Sequence, residues 1–149
     1  ERTAELGLVR DVDPLPAHPG ALPPRRPEEL IPHGDATGGG LDPAFMGLGP
    51  VPAVRKVLKT TGMEISDLDT IELNEAFASQ AIGCMRELGI ETEKPNELGS
   101  GISIGHPIGC TGARQMVTAI HHMQRQDYAT GLISMCIGGG MGIALCVER

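Results

Sequence analysis

Three short segments in the second half of the chain each place one reactive side chain among small residues. Asn74 lies in Asn-Glu-Ala-Phe-Ala (74–78), His106 in Gly-His-Pro-Ile-Gly (105–109), and Cys136 in Cys-Ile-Gly-Gly-Gly-Met-Gly (136–142). Glycine and alanine let a ligand approach backbone N–H groups closely. An amide, an imidazole and a thiol in such surroundings can polarise a carbonyl group and move a proton beside it. The pattern therefore indicates carbonyl chemistry.

The elements that must position these side chains follow from the hydrophobic pattern. Helical spacing of apolar residues predicts three helices, at 50–61, 74–88 and about 109–126. Apolar runs predict short strands at 70–73, 130–137 and 141–147. The run 102–104 before His106 is also strand-like. This order indicates an α/β domain with a mixed β-sheet layered with helices. Ligands gather at the carboxyl ends of strands in such sheets, where Asn74 and Cys136 fall.

Side chains on these helices are predicted to share inward faces. Asn74 can act as the N-cap of its helix, with Phe77 on the buried side and Glu75 favoured by the helix dipole. His106 is predicted at the N-terminus of the long helix, where negative charge is favoured. The residues of that helix expected to face inward are Ala113, Met116, Val117, Ile120 and Met123.

The first forty residues differ from the rest of the chain. Seven prolines fall between positions 11 and 32, and three glycines follow at 38–40. Proline fixes φ and removes a hydrogen-bond donor, so neither a helix nor a sheet strand can run through this stretch. Residues 1–40 are predicted to be a linker or a disordered segment, with a proline-rich ligand or a frame-shifted region as alternatives.

Composition narrows the classes of partner. The 149 residues carry a formal net charge of -7, so nucleic acid is excluded as a partner because no basic stripe could neutralise phosphates. No apolar run approaches the ~20 residues of a membrane helix. The four cysteines lack C-x-x-C spacing, which favours free thiols in a reducing compartment and hence a cytoplasmic protein.

Cys136 differs from the other three cysteines. Cys84 and Cys146 occupy apolar positions, and Cys110 is expected to pack early in the long helix. Cys136 instead ends a strand just before a glycine run, where the amide of Gly138 could donate to an oxyanion. The glycines do not match G-x-G-x-x-G and no helix follows them, which disfavours a dinucleotide site. No metal is predicted either, because the neighbouring His121 and His122 do not share a helix face.

Taken together, the segments resemble a known family. From Leu41 to Arg149 the chain is similar to the C-terminal domain of thiolases, the acetyl-CoA acetyltransferases and 3-ketoacyl-CoA thiolases. The matching strings are LDPAFMGLGPVPA (41–53), NEAFA (74–78), GHPIGCTGAR (105–114) and CIGGGMG (136–142). The resemblance covers about three quarters of the chain and leaves out residues 9–40, while residues 1–8 are similar to a family segment further upstream.

The resemblance implies a role for each matching residue. Cys136 is expected to be the thiol that removes a proton from the α-carbon of an acyl-CoA and returns one in the reverse direction. His106, with a water held by Asn74, is expected to form one oxyanion hole, and the Gly138 amide part of a second.

The resemblance also implies the ligand. Met46, Ala76 and Phe77 are expected to line the pocket near the pantetheine arm of coenzyme A. The expected substrates are coenzyme A thioesters, either in thiolytic cleavage of a 3-ketoacyl-CoA or in condensation of two acetyl-CoA molecules. No bound cofactor is expected.

One part of the family pattern is missing from this sequence. A thiolase also uses a nucleophilic cysteine in its N-terminal half, and none of the remaining cysteines here lies in such a context. The chain is therefore expected to be inactive alone and to need an N-terminal thiolase half, or else to self-associate through an exposed apolar surface. The alternative is a non-catalytic remnant or a module that binds coenzyme A or a protein partner. A ketosynthase-like domain is disfavoured because a cysteine, not a histidine, stands at position 136.

Overall fold

The computed structural model describes residues 41–148 of the chain. The prediction for residues 1–40, a linker or a disordered segment, lies outside these described residues. Within 41–148 the elements are two short 3₁₀ helices, four α-helices and three strands. They are the 3₁₀ helices Pro43–Leu48 and Ile65–Asp67, α1 (Pro50–Thr61), β1 (Thr70–Leu73), α2 (Ala78–Leu88), α3 (Gly101–Ile104), α4 (Thr111–Gln126), β2 (Thr130–Gly138) and β3 (Met141–Glu148).

The strands form one mixed sheet in the order β1-β2-β3. β1 pairs in parallel with β2, with Ile71 opposite Leu132, and β2 pairs antiparallel with β3, with Leu132 opposite Cys146. β2 and β3 are joined by the glycine turn, as the sequence predicted. The predicted mixed sheet layered with helices is therefore confirmed.

Helices cover both faces of the sheet. Leu132 belongs to the apolar cluster that includes Val54 of α1, whereas its neighbour Gly131 lies so close to Met123 of α4 that an added Cβ would be 3.0 Å from the methionine sulfur. Adjacent strand residues point to opposite faces, so α1 and α4 lie on opposite sides of β2. The main core lies on the α1 side and consists of Val51, Val54, Val57, Leu58, Leu68, Ile71, Leu73, Cys84, Ile90, Leu132 and Ala144.

The predictions for the ends of the helices were mixed. α1 spans the predicted residues and ends at Gly62 in the left-handed region, and α2 ends in the same way at Gly89. The N-cap prediction for Asn74 was wrong, because α2 begins only at Ala78. The backbone N–H of Asn74 instead donates to the carbonyl of Ser134 at 2.9 Å and prolongs the β1–β2 pairing.

Two further predictions were wrong. Residues 102–104 form the short helix α3 and not a strand. On α4, the predicted inward residues Val117 and Ile120 are 56% and 41% exposed, and only Met123 of the predicted set is buried. The buried face of α4 carries polar side chains instead, and it consists of Thr111, Gln115, Ala119, His122 and Met123. None of the helices in the described part of the chain is long and apolar enough to cross a membrane.

A close backbone crossing joins the start of α1 to β3. A Cβ placed on Gly142 would overlap the carbonyl of Gly49, and one placed on Gly49 would overlap the carbonyl of Met141. Only glycine allows the two backbone segments to approach this closely. Because Gly142 pairs with Cys136 in the sheet, the crossing also fixes the 3₁₀ helix Pro43–Leu48 near the end of β2.

We predict that Gly142→Ala lowers the free energy of unfolding by about 2 kcal/mol or more, because the new methyl group must displace backbone atoms. Urea unfolding measures the change. The matched control is Gly112→Ala on an exposed turn of α4, where the Cβ meets only the Met135 sulfur at 3.7 Å. This control should be neutral or stabilising by up to ~1 kcal/mol. Equal stability of the two variants would contradict the crossing.

Candidate active site

An open cleft of about 770 Å³ lies at the end of β2. Four separate parts of the chain meet there: the 3₁₀ helix Pro43–Leu48, the loop after β1, the loop before α4, and the β2–β3 turn. Of the seven residues predicted for the site, six line this cleft, and they are Met46, Ala76, Phe77, His106, Cys136 and Gly138. The fold thus brings together residues that are up to 92 positions apart in sequence, counting from Met46 to Gly138.

Asn74, the seventh predicted residue, lies behind the cleft wall. Its side chain is fully buried, and its amide nitrogen is 3.3 Å from Nε2 and 3.4 Å from Nδ1 of His106. The amide oxygen of Asn74 has no hydrogen-bond partner among the described residues. Asn74 therefore contacts the imidazole of His106 but does not itself line the cleft.

His106 lies in the loop before α4. The helix begins at Thr111, two residues later than predicted, so the imidazole is not at the helix N-terminus itself. The Nδ1 atom of His106 is 2.6 Å from Oγ1 of Thr111, whose side chain is buried in the first turn of the helix. This contact anchors the imidazole to α4 on one side, while Asn74 anchors it to the end of β1 on the other.

Cys136 lies where the regular pairing of β2 with β3 ends. The register shifts between Cys136 and Gly138, and Gly138 has a φ of 99°, a left-handed value that favours glycine. Partial burial raises the pKa of the Cys136 thiol, and a hydrogen bond from its own backbone N–H opposes this rise. The protonated thiol, which can donate a proton, is therefore favoured at neutral pH.

The rim of the cleft is apolar and exposed. Phe45, Met46, Phe77 and Ile108 are 63%, 53%, 69% and 86% exposed, which are high values for side chains of this type. The prediction that Phe77 packs on the inner face of α2 was wrong, because Phe77 precedes the helix and points away from the core. These side chains leave an uncovered apolar surface around the polar groups of the cleft.

Side chains that the sequence analysis did not single out hold the cleft walls together. Gln80 accepts a hydrogen bond from the backbone N–H of Ala76 at 3.2 Å and donates to the sulfur of Cys84 at 3.5 Å. The Cys84 thiol in turn donates to the carbonyl of Gly47 at 3.3 Å. A signal for this chain of contacts was present, since Gln80 and Cys84 are four residues apart on one helix face.

A second set of contacts fixes the loop after β1. Asn96 adopts a φ of 60° and pairs its side-chain amide with both the N–H and the carbonyl of Leu73, at 2.9 and 2.8 Å. Glu75 accepts hydrogen bonds from the Asn96 amide and from the backbone N–H of Ile102. Glu75 therefore ties this loop to α3, rather than serving the dipole of α2 as predicted.

A buried ion pair lies beneath the site. Oε2 of Glu72 on β1 is 3.6 Å from Nη1 of Arg114 on α4, and the Glu72 residue is 2% exposed. Burial raises the pKa of Glu72 to about 7, an effect that Arg114 opposes and Glu75 reinforces. Glu72 thus changes charge near neutral pH.

The other cysteines and histidines of residues 41–148 lie apart from the cleft lining. Cys110 is exposed, so the prediction that it packs in the helix was wrong. His122 is buried against Tyr128 and lies 3.3 Å from Glu97, whereas His121 is exposed. Among residues 41–148, no three His, Cys, Asp or Glu side chains are gathered as metal ligands would be.

The fold and the cleft define a class of site. A thiol, an imidazole backed by an amide, and a backbone N–H in a glycine turn converge at one end of a mixed sheet. This is an arrangement suited to polarising a carbonyl oxygen and moving a proton at the neighbouring carbon.

Comparison with known proteins gives the family. A profile of the thiolase C-terminal domain matches residues 32–149. The chain is 51% identical over 111 residues to the acetyl-CoA acetyltransferase of Escherichia coli and 50% identical over 113 residues to the beta-ketoadipyl-CoA thiolase of Pseudomonas putida; in both cases the match covers 74% of this chain and 28% of the relative. The crystal structure of the Bacillus anthracis acetyl-CoA acetyltransferase matches with a TM-score of 0.72 and 48% identity, over 74% of this chain and 28% of that one.

The chain belongs to the thiolase family and contains its C-terminal domain. The resemblance inferred from the sequence motifs is therefore confirmed. The chain spans about 28% of the length of the curated relatives that it matches.

We predict that Glu72 makes the stability of the chain depend on pH. Its pKa is about 7 in the folded chain against an ordinary value of 4.5, so protonation favours the fold. The stabilisation is fully present below about pH 4.5 and is lost as pH rises through about 7, a change of at most about 3 kcal/mol. Urea unfolding at pH 5 and pH 8 measures it.

Glu72→Gln should remove this loss between pH 5 and pH 8, because glutamine does not titrate. The substitution also leaves Arg114 without its carboxylate, but that cost does not change with pH. Glu91→Gln, at an exposed position, is the matched control and should keep the wild-type profile. Parallel pH profiles for wild type and Glu72→Gln would show that Glu72 is not the titrating group.

Proposed function

We propose that this chain is the C-terminal part of an acyl-CoA C-acyltransferase, a thiolase that cleaves 3-ketoacyl-CoA or condenses two acetyl-CoA molecules. The observation that carries the proposal is the convergence of His106, Cys136 and Gly138 on one cleft with an apolar rim. Membership of the thiolase family supports it. We also propose that activity requires an N-terminal thiolase half that supplies the nucleophilic cysteine.

In this proposal Cys136 exchanges the proton. As a thiolate it removes a proton from the α-carbon of an acyl-CoA, whose carbanion then attacks the acyl group held on the nucleophilic cysteine. In the reverse direction the thiol returns that proton to the departing carbanion. The raised pKa of Cys136 in this chain favours the protonated form, which suits the second of these steps.

His106 and Gly138 stabilise negative charge on oxygen in this scheme. An α-proton of a thioester is too weakly acidic for a lone thiolate unless the enolate oxygen is stabilised, and each preorganised donor is commonly worth about 3 kcal/mol. His106, backed by Asn74 or by a water that Asn74 holds, serves the enolate oxygen. The Gly138 N–H, in its left-handed turn, serves the tetrahedral oxyanion on the acylated cysteine.

Coenzyme A thioesters are the proposed substrates, with no further cofactor. The apolar rim that includes Met46 and Phe77, beside Ala76, suits the pantetheine arm, which carries no charge. Relatives with about 50% identity are named for acetyl-CoA and for beta-ketoadipyl-CoA, so identity does not favour one acyl group. The cytoplasmic location stays a prediction.

The outer face of α4 is the proposed surface for the N-terminal half or, without it, for a second copy of the chain. A groove there is lined by Leu98, Ile104 and Val117, which are 44%, 55% and 56% exposed. Ile102 and Ile120 are exposed apolar side chains as well, at 63% and 41%. Such surfaces mark protein–protein contacts in soluble proteins.

A chimera tests the proposed function directly. Residues 41–149 replace the corresponding segment of the Escherichia coli acetyl-CoA acetyltransferase, and thiolysis of acetoacetyl-CoA is measured. We expect a rate within tenfold of the parent enzyme, because the two sequences are 51% identical over 111 residues. The 149-residue chain alone should show no turnover. An inactive but folded chimera would favour the alternative, a non-catalytic remnant or binding module.

Cysteine variants of the chimera locate the chemistry. Cys136→Ala should lower kcat by at least about 10²-fold, since general acid–base catalysis contributes 10²–10⁴-fold and no other side chain of the cleft lining carries a thiol. The matched control is Cys110→Ala, whose exposed side chain lies outside the cleft lining. Equal rates for the two variants would refute the role of Cys136.

A further inference from the structure

The side chain of Asn96 contacts the residues on both sides of Asn74. Its Oδ1 atom accepts the backbone N–H of Leu73 at 2.9 Å, and its Nδ2 atom donates to the carbonyl of Leu73 at 2.8 Å. The same Nδ2 atom donates to Oε1 of Glu75 at 3.3 Å. Leu73 and Glu75 flank Asn74 in sequence. One side-chain amide therefore constrains the chain directly before and directly after a residue of the candidate site.

Asn96 takes the place of a neighbouring strand at the outer edge of β1. The N–H of Asn74 bonds to β2, and the backbone groups of adjacent strand residues point to opposite sides, so those of Leu73 point away from β2. Leu73 is 1% exposed, and a buried backbone group without a partner is costly. The Ser100 hydroxyl also donates to the Leu73 carbonyl, at 3.3 Å, so the N–H depends on Asn96 more than the carbonyl does.

The backbone of Asn96 is itself held in place. Its N–H donates to the carbonyl of Ile71 and its carbonyl accepts the N–H of Gly99, both at 2.8 Å. Its φ is 60°, in the left-handed region that asparagine tolerates better than most residues and that glycine adopts freely. A glycine at position 96 would thus keep this backbone conformation and remove only the side-chain amide.

We propose that Asn96 is a positioning residue that holds the Asn74 amide against the imidazole of His106. The N–H of Asn74 donates to the Ser134 carbonyl at 2.9 Å on the β2 side, while Asn96 holds the flanking residues on the opposite side. With its backbone fixed from both sides, the fully buried Asn74 side chain places its amide nitrogen 3.3 and 3.4 Å from the two ring nitrogens.

A second connection runs from Asn96 towards the imidazole through α3. The Glu75 carboxylate, which accepts from Asn96 through Oε1, accepts the N–H of Ile102 through Oε2 at 3.2 Å. Ile102 belongs to α3, which ends at Ile104, two residues before His106. The Asn96 amide is therefore linked both to Asn74 and to the segment that carries His106.

The catalytic meaning of this inference rests on the proposed function, whereas the positioning of Asn74 does not. Asn96 lies outside the cleft lining, so it acts on the reaction only through other residues. A misplacement of about 1 Å at a reacting group can cost ~10²-fold in rate. Loss of the Asn96 amide should therefore lower kcat and leave KM nearly unchanged.

Spectra of the ¹⁵N-labelled 149-residue chain test the position of Asn74 without an enzymatic assay. The Asn74 side-chain amide lies against a ring and is buried, so we expect its two N–H signals to be displaced from those of exposed asparagines and to exchange slowly with solvent. Asn74→Asp removes these signals and so identifies them. Asn96→Gly should move both signals towards the exposed values and speed their exchange at least about tenfold.

Asp69 at the other end of β1 provides the matched control. Its Oδ2 atom accepts the N–H groups of Ala129 and Thr130 at 2.8 and 2.9 Å, so Asp69→Ala also removes two hydrogen bonds to backbone groups. This variant should leave the Asn74 signals in place. Unmoved signals in Asn96→Gly, or equal displacement in both variants, would overturn the proposal.

Asn96→Asp keeps the test decisive if the glycine variant does not fold. It retains an acceptor for the Leu73 N–H but loses the donor to Glu75 and puts a second carboxylate beside it. The Asn74 signals should move in the same direction as in Asn96→Gly and by a smaller amount. Signals at the wild-type positions would contradict the proposal.

The chimera tests the consequence for the reaction. Asn96→Gly should lower kcat at least tenfold with KM changed less than threefold, whereas Asp69→Ala should retain at least half of kcat. An unchanged kcat for Asn96→Gly in an active chimera would overturn the positioning role even if the signals move. An inactive chimera refutes the proposed function alone, because the spectra still decide whether Asn96 holds Asn74 in place.

Discussion

The pairing between β1 and β2 continues one residue beyond β1, and the rest of the cleft depends on this extension. The N–H of Asn74 donates to the carbonyl of Ser134 at 2.9 Å, so the chain stays extended where a helix was expected to start. Gln115 of α4 donates its side-chain amide to the carbonyls of both Glu72 and Ser134, at 3.1 and 3.2 Å. One buried amide therefore links α4 to the end of β1 and to the middle of β2. The carbonyl of Ser134 thus accepts both the Asn74 N–H and the Gln115 amide, so the buried polar side chain of Gln115 finds acceptors in the sheet.

This arrangement links the fold to the chemistry. With the end of β1 and the start of α4 both fixed, Asn74 and Thr111 approach His106 from opposite sides and leave it little freedom. Cys136 reaches the same cleft along β2, the strand that both other elements contact. Each reactive group is carried by an element that pairs with, or packs on, this central strand. Preorganisation of this kind is what makes donors effective in a site where charge develops.

The sequence predicted the elements better than it predicted their faces. The strands and the ends of α1 and α2 at Gly62 and Gly89 follow from short-range signals, namely apolar runs and glycine in the left-handed region. The face of α4 does not, because apolar spacing finds a stripe without showing what covers it. Val117 and Ile120 form such a stripe but face away from the sheet, while Gln115 and Thr111 face inward to satisfy strand-end carbonyls and the imidazole.

The candidate site could likewise be predicted only in part. Its reactive residues could be predicted because each stands in a short motif with small neighbours. Asn96 and Thr111 could not, because the partner of Asn96 lies 23 residues away and Thr111 lies on a helix whose inward face was misassigned. Asn74 was predicted both as a helix cap and as a site residue, and the start of α2 at Ala78, together with the long-range pairing of Asn74 with Ser134, excludes the cap.

The central claim is that three distant segments form a single ligand site, and acetyl-CoA titrated into the ¹⁵N-labelled 149-residue chain tests it most directly. We expect the amide signals of Ala76, His106 and Gly138 to shift together along one binding curve, while those of the α4 groove stay in place. Shifts confined to one of these segments, or centred on Val117 and His121 instead, would contradict the account.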